Sequence, residues 1–171
     1  MRLLSIENGL PVERPASSYT PLRGSVDRLL PPVVGTLHRH LWAWGQADLS
    51  PGPLTAERVL LGPEGELGIA FANHNKPRPL LQVGLAPDLA AWLVLLDKWV
   101  ETFVVIARAR AVWSPGELAA ALTFATPAFL PRGLVRQPPD NWVRVAEALA
   151  QAVADGPLAG DSQDRHWRVD P

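Results

Sequence analysis

Apolar residues fall into two rhythms along this chain, a helical one that recurs four times and a strand-like one that appears once. Val34, Leu37, Leu41 and Trp44 form one stripe at helical spacing and predict a helix over about Val33–Gly45, which Gly45 can end. Asp48-Leu49-Ser50-Pro51-Gly52-Pro53 is too rich in breakers to be anything but loop. The strand rhythm follows. Arg58-Val59-Leu60-Leu61 leads through Gly62-Pro63-Glu64-Gly65 into Glu66-Leu67-Gly68-Ile69-Ala70-Phe71, with Leu67, Ile69 and Phe71 on one face of a hairpin. Residues 73–79 read as an exposed loop and Leu80–Leu85 as a short extended piece.

The longest helix is expected over residues 87–110, with Leu89, Trp92, Leu96, Trp99, Phe103 and Ala107 as a continuous stripe. Its first half, Leu89–Leu96, is apolar all round and so should be buried on every side. Its second half gains a wet face from Asp97, Lys98, Glu101 and Arg108. Ser114-Pro115-Gly116-Glu117 opens the next helix as a capping box with proline in the first turn, and that helix should end near Ala125. Residues 131–139 read as loop. A last helix is expected over about Asn141–Asp155, capped by Asp140, with Trp142, Val145, Ala146, Leu149 and Val153 inward and Arg144 pairing Glu147 outside.

Both ends lack such rhythm. Residues 1–32 hold Pro11, Pro15, Pro21, Pro31 and Pro32, which exclude long helices and inner strands and suggest an extended arm with a short helix near Ser25–Leu30. Residues 156–171 read as a flexible polar tail. The expected fold is therefore mainly α: a compact helical domain at 33–155 with one central β-hairpin near 58–71, between two arms.

Composition narrows the chemistry. The chain has 171 residues, 47% of them hydrophobic, no cysteine and a net charge of −1. Disulfide scaffolds, thiolate metal sites and a cysteine nucleophile are excluded. A balanced charge offers no field to attract nucleic acid, and no long uncharged apolar run exists to span a membrane. No secretory signal is visible, so a cytoplasmic location is expected. All basic residues but Lys76 and Lys98 are arginine, spread along the chain as a GC-rich genome would spread them.

Residue type and spacing limit the candidate sites. His38 and His40 are two apart on a helix, so their side chains diverge by roughly 200° and cannot chelate one ion; surface positions are expected for the histidines. Ser50, Ser114 and Ser162 lie outside any nucleophile elbow, and there is no glycine-rich phosphate loop opening a helix. Neither a metal nor a cofactor is expected. Arg132, Arg136 and Arg144 beside Trp142 make the densest basic patch, too small to argue for RNA or DNA. Trp42, Trp113, Trp142 and Trp167 are less easily placed than Trp92 and Trp99 of the long stripe. Trp113, Trp142 and Trp167, with Arg132 and Arg136, are the candidate partner-binding residues, since exposed tryptophan often marks a protein contact.

One resemblance covers about residues 33–155. Leu54-Thr55-Ala56-Glu57-Arg58-Val59-Leu60-Leu61-Gly62-Pro63-Glu64-Gly65-Glu66-Leu67 resembles the protein-kinase stretch D-L-x-P-x-N-(I/V)-L-L-x-x-x-G-x-(I/L). Asp88–Leu96 is similar to the start of that family's buried central helix. The element order also resembles the kinase C-terminal lobe: a helix, a catalytic loop and hairpin, a very buried helix, then surface helices. The match is degenerate. Pro53 stands at the catalytic aspartate, Arg58 at the metal-binding asparagine, and Ala70 or Phe71 at the metal-binding aspartate, while Asp88 is retained. A register that makes Asp48-Leu49-Ser50-Pro51 the catalytic loop restores one aspartate but puts Pro53 at the asparagine. The glycine-rich nucleotide loop and its strand lysine do not precede the first helix. The resemblance thus implies a pseudokinase-like module without phosphotransfer, whose partner is another protein or a second copy of itself. Two alternatives remain: a structural subunit of a larger assembly, or a small enzyme using Asp48, His74 and Arg78 from adjoining loops.

Overall fold

Prolines decide where the first residues can sit. A proline has no amide to donate, so within a sheet it belongs on an edge. The computed structural model, which describes residues 2–7, 10–22, 31–52, 54–63, 67–71, 78–79, 82–136 and 141–156, obeys that rule. Strand β1 (Arg2–Glu7) contains no proline and lies inside a five-stranded antiparallel sheet. Strand β2 (Leu10–Pro15), with Pro11 and Pro15, and strand β3 (Thr20–Pro21) are its two edges. Between them run β5 (Val59–Leu61) and β6 (Leu67–Phe71), in the order β2-β1-β6-β5-β3. The exclusion of inner strands from the N-terminal arm is therefore a correction: among its described residues, 2–7, 10–15 and 20–21 are extended and paired into the sheet, and β1 is an inner strand. The short helix expected near Ser25–Leu30 lies outside the described residues.

The expected hairpin is present, with Val59 opposite Ile69 and Leu61 opposite Leu67. It forms the middle of the sheet. Leu3 and Leu4 of β1 pair with Ala70 and Ile69, and Thr20 and Pro21 of β3 with Leu61 and Leu60. One face turns Val59, Leu61 and Ile69 into the main core, and the other covers Leu60 and Ala70 with Tyr19. A second, two-stranded sheet joins β4 (Leu49–Ser50) to β7 (Arg78–Pro79), Ser50 facing Arg78. It replaces part of two predicted loops. The extended piece expected at Leu80–Leu85 is instead a turn over its described residues, 82–85.

Helix α1 (Pro31–Gln46) begins on two prolines, whose missing amides fall in the first turn where no intrahelical partner exists. Its predicted stripe holds: Val34, Leu37, Leu41 and Trp44 are all buried. Helix α2 (Ala86–Leu96) is the centre of the molecule, and every residue from Leu89 to Leu96 is buried, as its uniform apolarity requires.

The single helix expected over 87–110 is two helices. The chain turns at residues 97–101 and restarts as α3 (Thr102–Arg110). Asp97, the C-cap of α2, accepts hydrogen bonds from the Thr102 hydroxyl and, at 2.8 Å, from Arg144. The turn shifts the phase of the second helix. Val105, Ile106 and Ala109 face the core, whereas Phe103, on the predicted stripe, is 68% exposed.

Helix α4 (Pro115–Phe124) carries the expected capping box: the Glu117 amide donates to the Ser114 hydroxyl, and the Ser114 amide donates to the Glu117 carboxylate. It buries Leu118 and Ala121, less than its sparse charge suggested. The loop expected after it contains one helical turn, α5 (Arg132–Val135), which buries Leu134. Helix α6 (Asn141–Ala154) packs Val145 and Leu149 fully inward, with Trp142, Ala146 and Val153 half-buried against the core. Arg144 reaches Asp97 and not the expected Glu147. Asp140, the expected cap, and residues 157–171 lie outside the described residues. Among the described residues no helix is long and apolar enough to cross a membrane.

Candidate functional site

Four of the five positions singled out by the kinase-like resemblance lie among the described residues, and the fold brings three of them together. Arg58 sits in the turn before β5. Its carbonyl accepts from the Ala70 amide at 2.7 Å, and its side-chain Nε donates to the Ala70 carbonyl at 3.1 Å. The guanidinium also donates to the Pro51 carbonyl at 3.0 Å. It therefore clamps the β4 loop to β6. Asp88, in the first turn of α2, faces the same place: its carboxylate accepts from the Ser50 hydroxyl at 2.7 Å and is attracted by Arg58. The Ser50 oxygen accepts in turn from the Gly52 amide at 3.1 Å. Gly52 has φ +72°, a conformation that glycine adopts without strain.

The electrostatics follow from burial. Desolvation raises the Asp88 pKa from 3.8 to about 6, opposed by the Ser50 hydrogen bond and by Arg58. Burial lowers the Arg58 pKa, an effect that Asp88 resists. The cluster is an internal pin: one cation, one carboxylate and one hydroxyl, each tying a different element. Phe71 ends β6, and Pro53 lies outside the described residues.

The partner-binding candidates scatter. Trp113 is a correction: only 4% exposed, it belongs to the core, and its indole donates to His38 Nδ1 at 3.3 Å. His38 is a second correction. Far from the surface, it is fully buried, and desolvation drives its pKa to about 3, so it stays neutral and can accept that bond. Trp142 is half-buried against the core, and Trp167 lies outside the described residues. Arg132 and Arg136 are exposed one helical turn apart, but Arg144 is committed to Asp97, which breaks up the expected basic patch.

The enzyme alternative fares no better as a cluster. Asp48 is exposed, in a left-handed turn at φ 55°. Arg78 is in register with Ser50 through the backbone of β7, and His74 lies outside the described residues. Among the described residues no three His, Asp or Glu side chains converge as a metal would require.

The features sequence reasoning missed are a surface groove between α1 and α3 and the tryptophan on its rim. The groove has a volume of about 420 Å³ and is lined by Gly35, Arg39 and Trp42 of α1 and by Arg108, Ala111 and Val112 at the end of α3. Trp42 is 39% exposed. The available signal was its position off the buried stripe of α1. No protein family, curated protein or solved structure matches this chain.

Proposed function

We propose that this chain is a non-catalytic protein-interaction module, built as a degenerate form of the kinase large lobe. The observation that carries the reading is the placement of Arg58. The family's metal-binding asparagine position holds a guanidinium that spends its donors on the Ala70 and Pro51 carbonyls and its charge on Asp88. A fixed internal cation there repels a divalent ion, and phosphoryl transfer depends on such ions. The element order supports the same reading: α1, a loop and hairpin, α2 with its buried run Leu89–Leu96, then the outer helices α3, α4 and α6.

The test is thermal unfolding of the full chain with and without Mg-ATP, followed by affinity capture and mass measurement. No stabilisation by Mg-ATP is expected, together with a concentration-dependent mass or a retained protein partner. A clear upward shift with Mg-ATP overturns the reading, as does a strictly monomeric chain that retains nothing.

A small-enzyme reading draws on one observation, the Ser50 hydroxyl held against a carboxylate whose pKa is raised to about 6. Covalent labelling of Ser50 by a fluorophosphonate would favour it. Under the interaction reading Ser50 stays unlabelled, because its proton and a lone pair are both engaged.

A further inference from the structure

We propose that the α1–α3 groove is the docking surface for a short acidic segment of a partner protein, one that carries an apolar side chain. The inference deepens the interaction-module reading and rests on it.

The geometry begins at Gly35. A methyl group placed there would lie 3.7 Å from Cδ of Arg108 and 3.8 Å from Nη1 of Arg39, so two arginine side chains from different helices converge over one glycine. Both residues are exposed. Both also line the same groove, which therefore carries two like charges that an anion seated between or above them would offset. Neither helix offers one: α1 and α3 contain no aspartate or glutamate. The Arg39 side chain donates to the neutral Thr36 hydroxyl at 2.9 Å.

Forked guanidinium donors suit carboxylates, and two forks on one groove suit more than one of them. Trp42 sits on the rim, with Ala111 and Val112 beside the arginines, so the floor is apolar where the charges are not. An aliphatic or aromatic side chain between acidic residues would cover that floor, and exposed tryptophan and arginine are the residue types that dominate binding energy at protein interfaces. Arg132 and Arg136, the pair favoured by sequence spacing, lie outside this groove and serve as the internal control.

The probe is a fluorescein-labelled peptide that alternates glutamate pairs with leucine, titrated with the full chain by fluorescence anisotropy. Saturable binding is expected, weakened by added salt and about tenfold weaker in the Arg39→Glu/Arg108→Glu variant. Trp42→Ala should weaken it several-fold, and Arg132→Glu/Arg136→Glu should leave it unchanged. Circular dichroism and thermal unfolding confirm that each variant is folded. Equal affinity in the Arg39/Arg108 variant overturns the proposal, as does the absence of saturable binding. Tighter binding of a single-stranded oligonucleotide of equal charge overturns it in favour of nucleic acid. A dimer dispersed by the same substitutions, without peptide binding, assigns the face to a second copy and also overturns it. The two levels separate in a capture experiment. If the Arg39/Arg108 variant retains the same partner from native extract as the parent chain, the groove assignment falls alone. If the parent chain retains nothing and stays monomeric, the interaction reading falls.

Discussion

The two ends of α2 each carry an aspartate, and the two aspartates solve opposite problems. Asp88 stands in the first turn, where the helix dipole favours negative charge. Burial is against it, and with Ser50 and Arg58 as partial compensation its pKa still rises to about 6. Asp97 stands at the last turn, where the dipole opposes it, and its side chain is only 1% exposed. It is held by Arg144 from α6 and Thr102 from α3, so it joins three helices at one corner. The lesson is that a fully apolar helix has its direction set by what its charged ends can reach. Asp88 docks α2 to the sheet side, and Asp97 docks it to the outer helices.

The comparison sharpens most at the Asp97 end. Arg144→Met should destabilise the fold by about 3 kcal/mol, because it strands a buried carboxylate. Solvent screening of the half-exposed arginine keeps the cost from being larger. Urea unfolding measures it, and a cost below that of an ordinary surface substitution would show that Asp97 does not need its partner.

At the Asp88 end the expected effect is a pH slope of about 2–3 kcal/mol. A carboxyl whose pKa rises on folding contributes stability that is complete below pH 3.8 and is lost as pH climbs through about 6. His38 acts in the opposite sense: its contribution is complete above pH 6.5 and is lost as pH falls toward about 3. The informative quantity is therefore the stability of Asp88→Asn minus that of the parent chain, which should grow between pH 4 and pH 7. A difference that does not change with pH would mean that Asp88 is better solvated than its surroundings indicate.

Asp97→Asn should cost less than Arg144→Met, about 1–2 kcal/mol, since an amide oxygen can still accept from Thr102. The double variant should cost less than the two single costs added together, because the charge that needed the arginine is gone. The smallest effect, about 1 kcal/mol, is expected for Ser50→Ala. It should also push the Asp88 pKa further up, since the Ser50 hydrogen bond favours the charged form. An NMR titration of the Asp88 carboxyl would show it, and an unmoved midpoint would count against the pin.

Much of this architecture can be read from residue order, for reasons that differ by element. The stripe of α1, the capping box at Ser114, the hairpin and the buried run Leu89–Leu96 are local signals, and they are present as read. The break at residues 97–101 is harder to read. No proline or glycine marks it, and the Asp97 side chain there is held both by Thr102 and by an arginine 47 residues away. The N-terminal strands give a mixed signal: residues 1–32 are rich in proline as a whole, but the proline-free run Leu3–Ile6 is an inner strand and the proline-bearing β2 and β3 are edges. The pin was visible only in part: Arg58, Ala70 and Asp88 were singled out, but Ser50 joins them through a turn that no spacing rule predicts. The Arg39–Arg108 groove has no sequence signal beyond Trp42 lying off the α1 stripe, because its two halves belong to separate helices and meet only in space.

The proline-bearing margins of the sheet have one more consequence. A sheet with bare borders invites other chains to stitch on and grow into fibres. Here both outermost strands carry imino acids that interrupt such stitching, at Pro11 and Pro15 on one flank and Pro21 on the other. Extension of the five-stranded ladder by a further strand is thereby discouraged at both flanks.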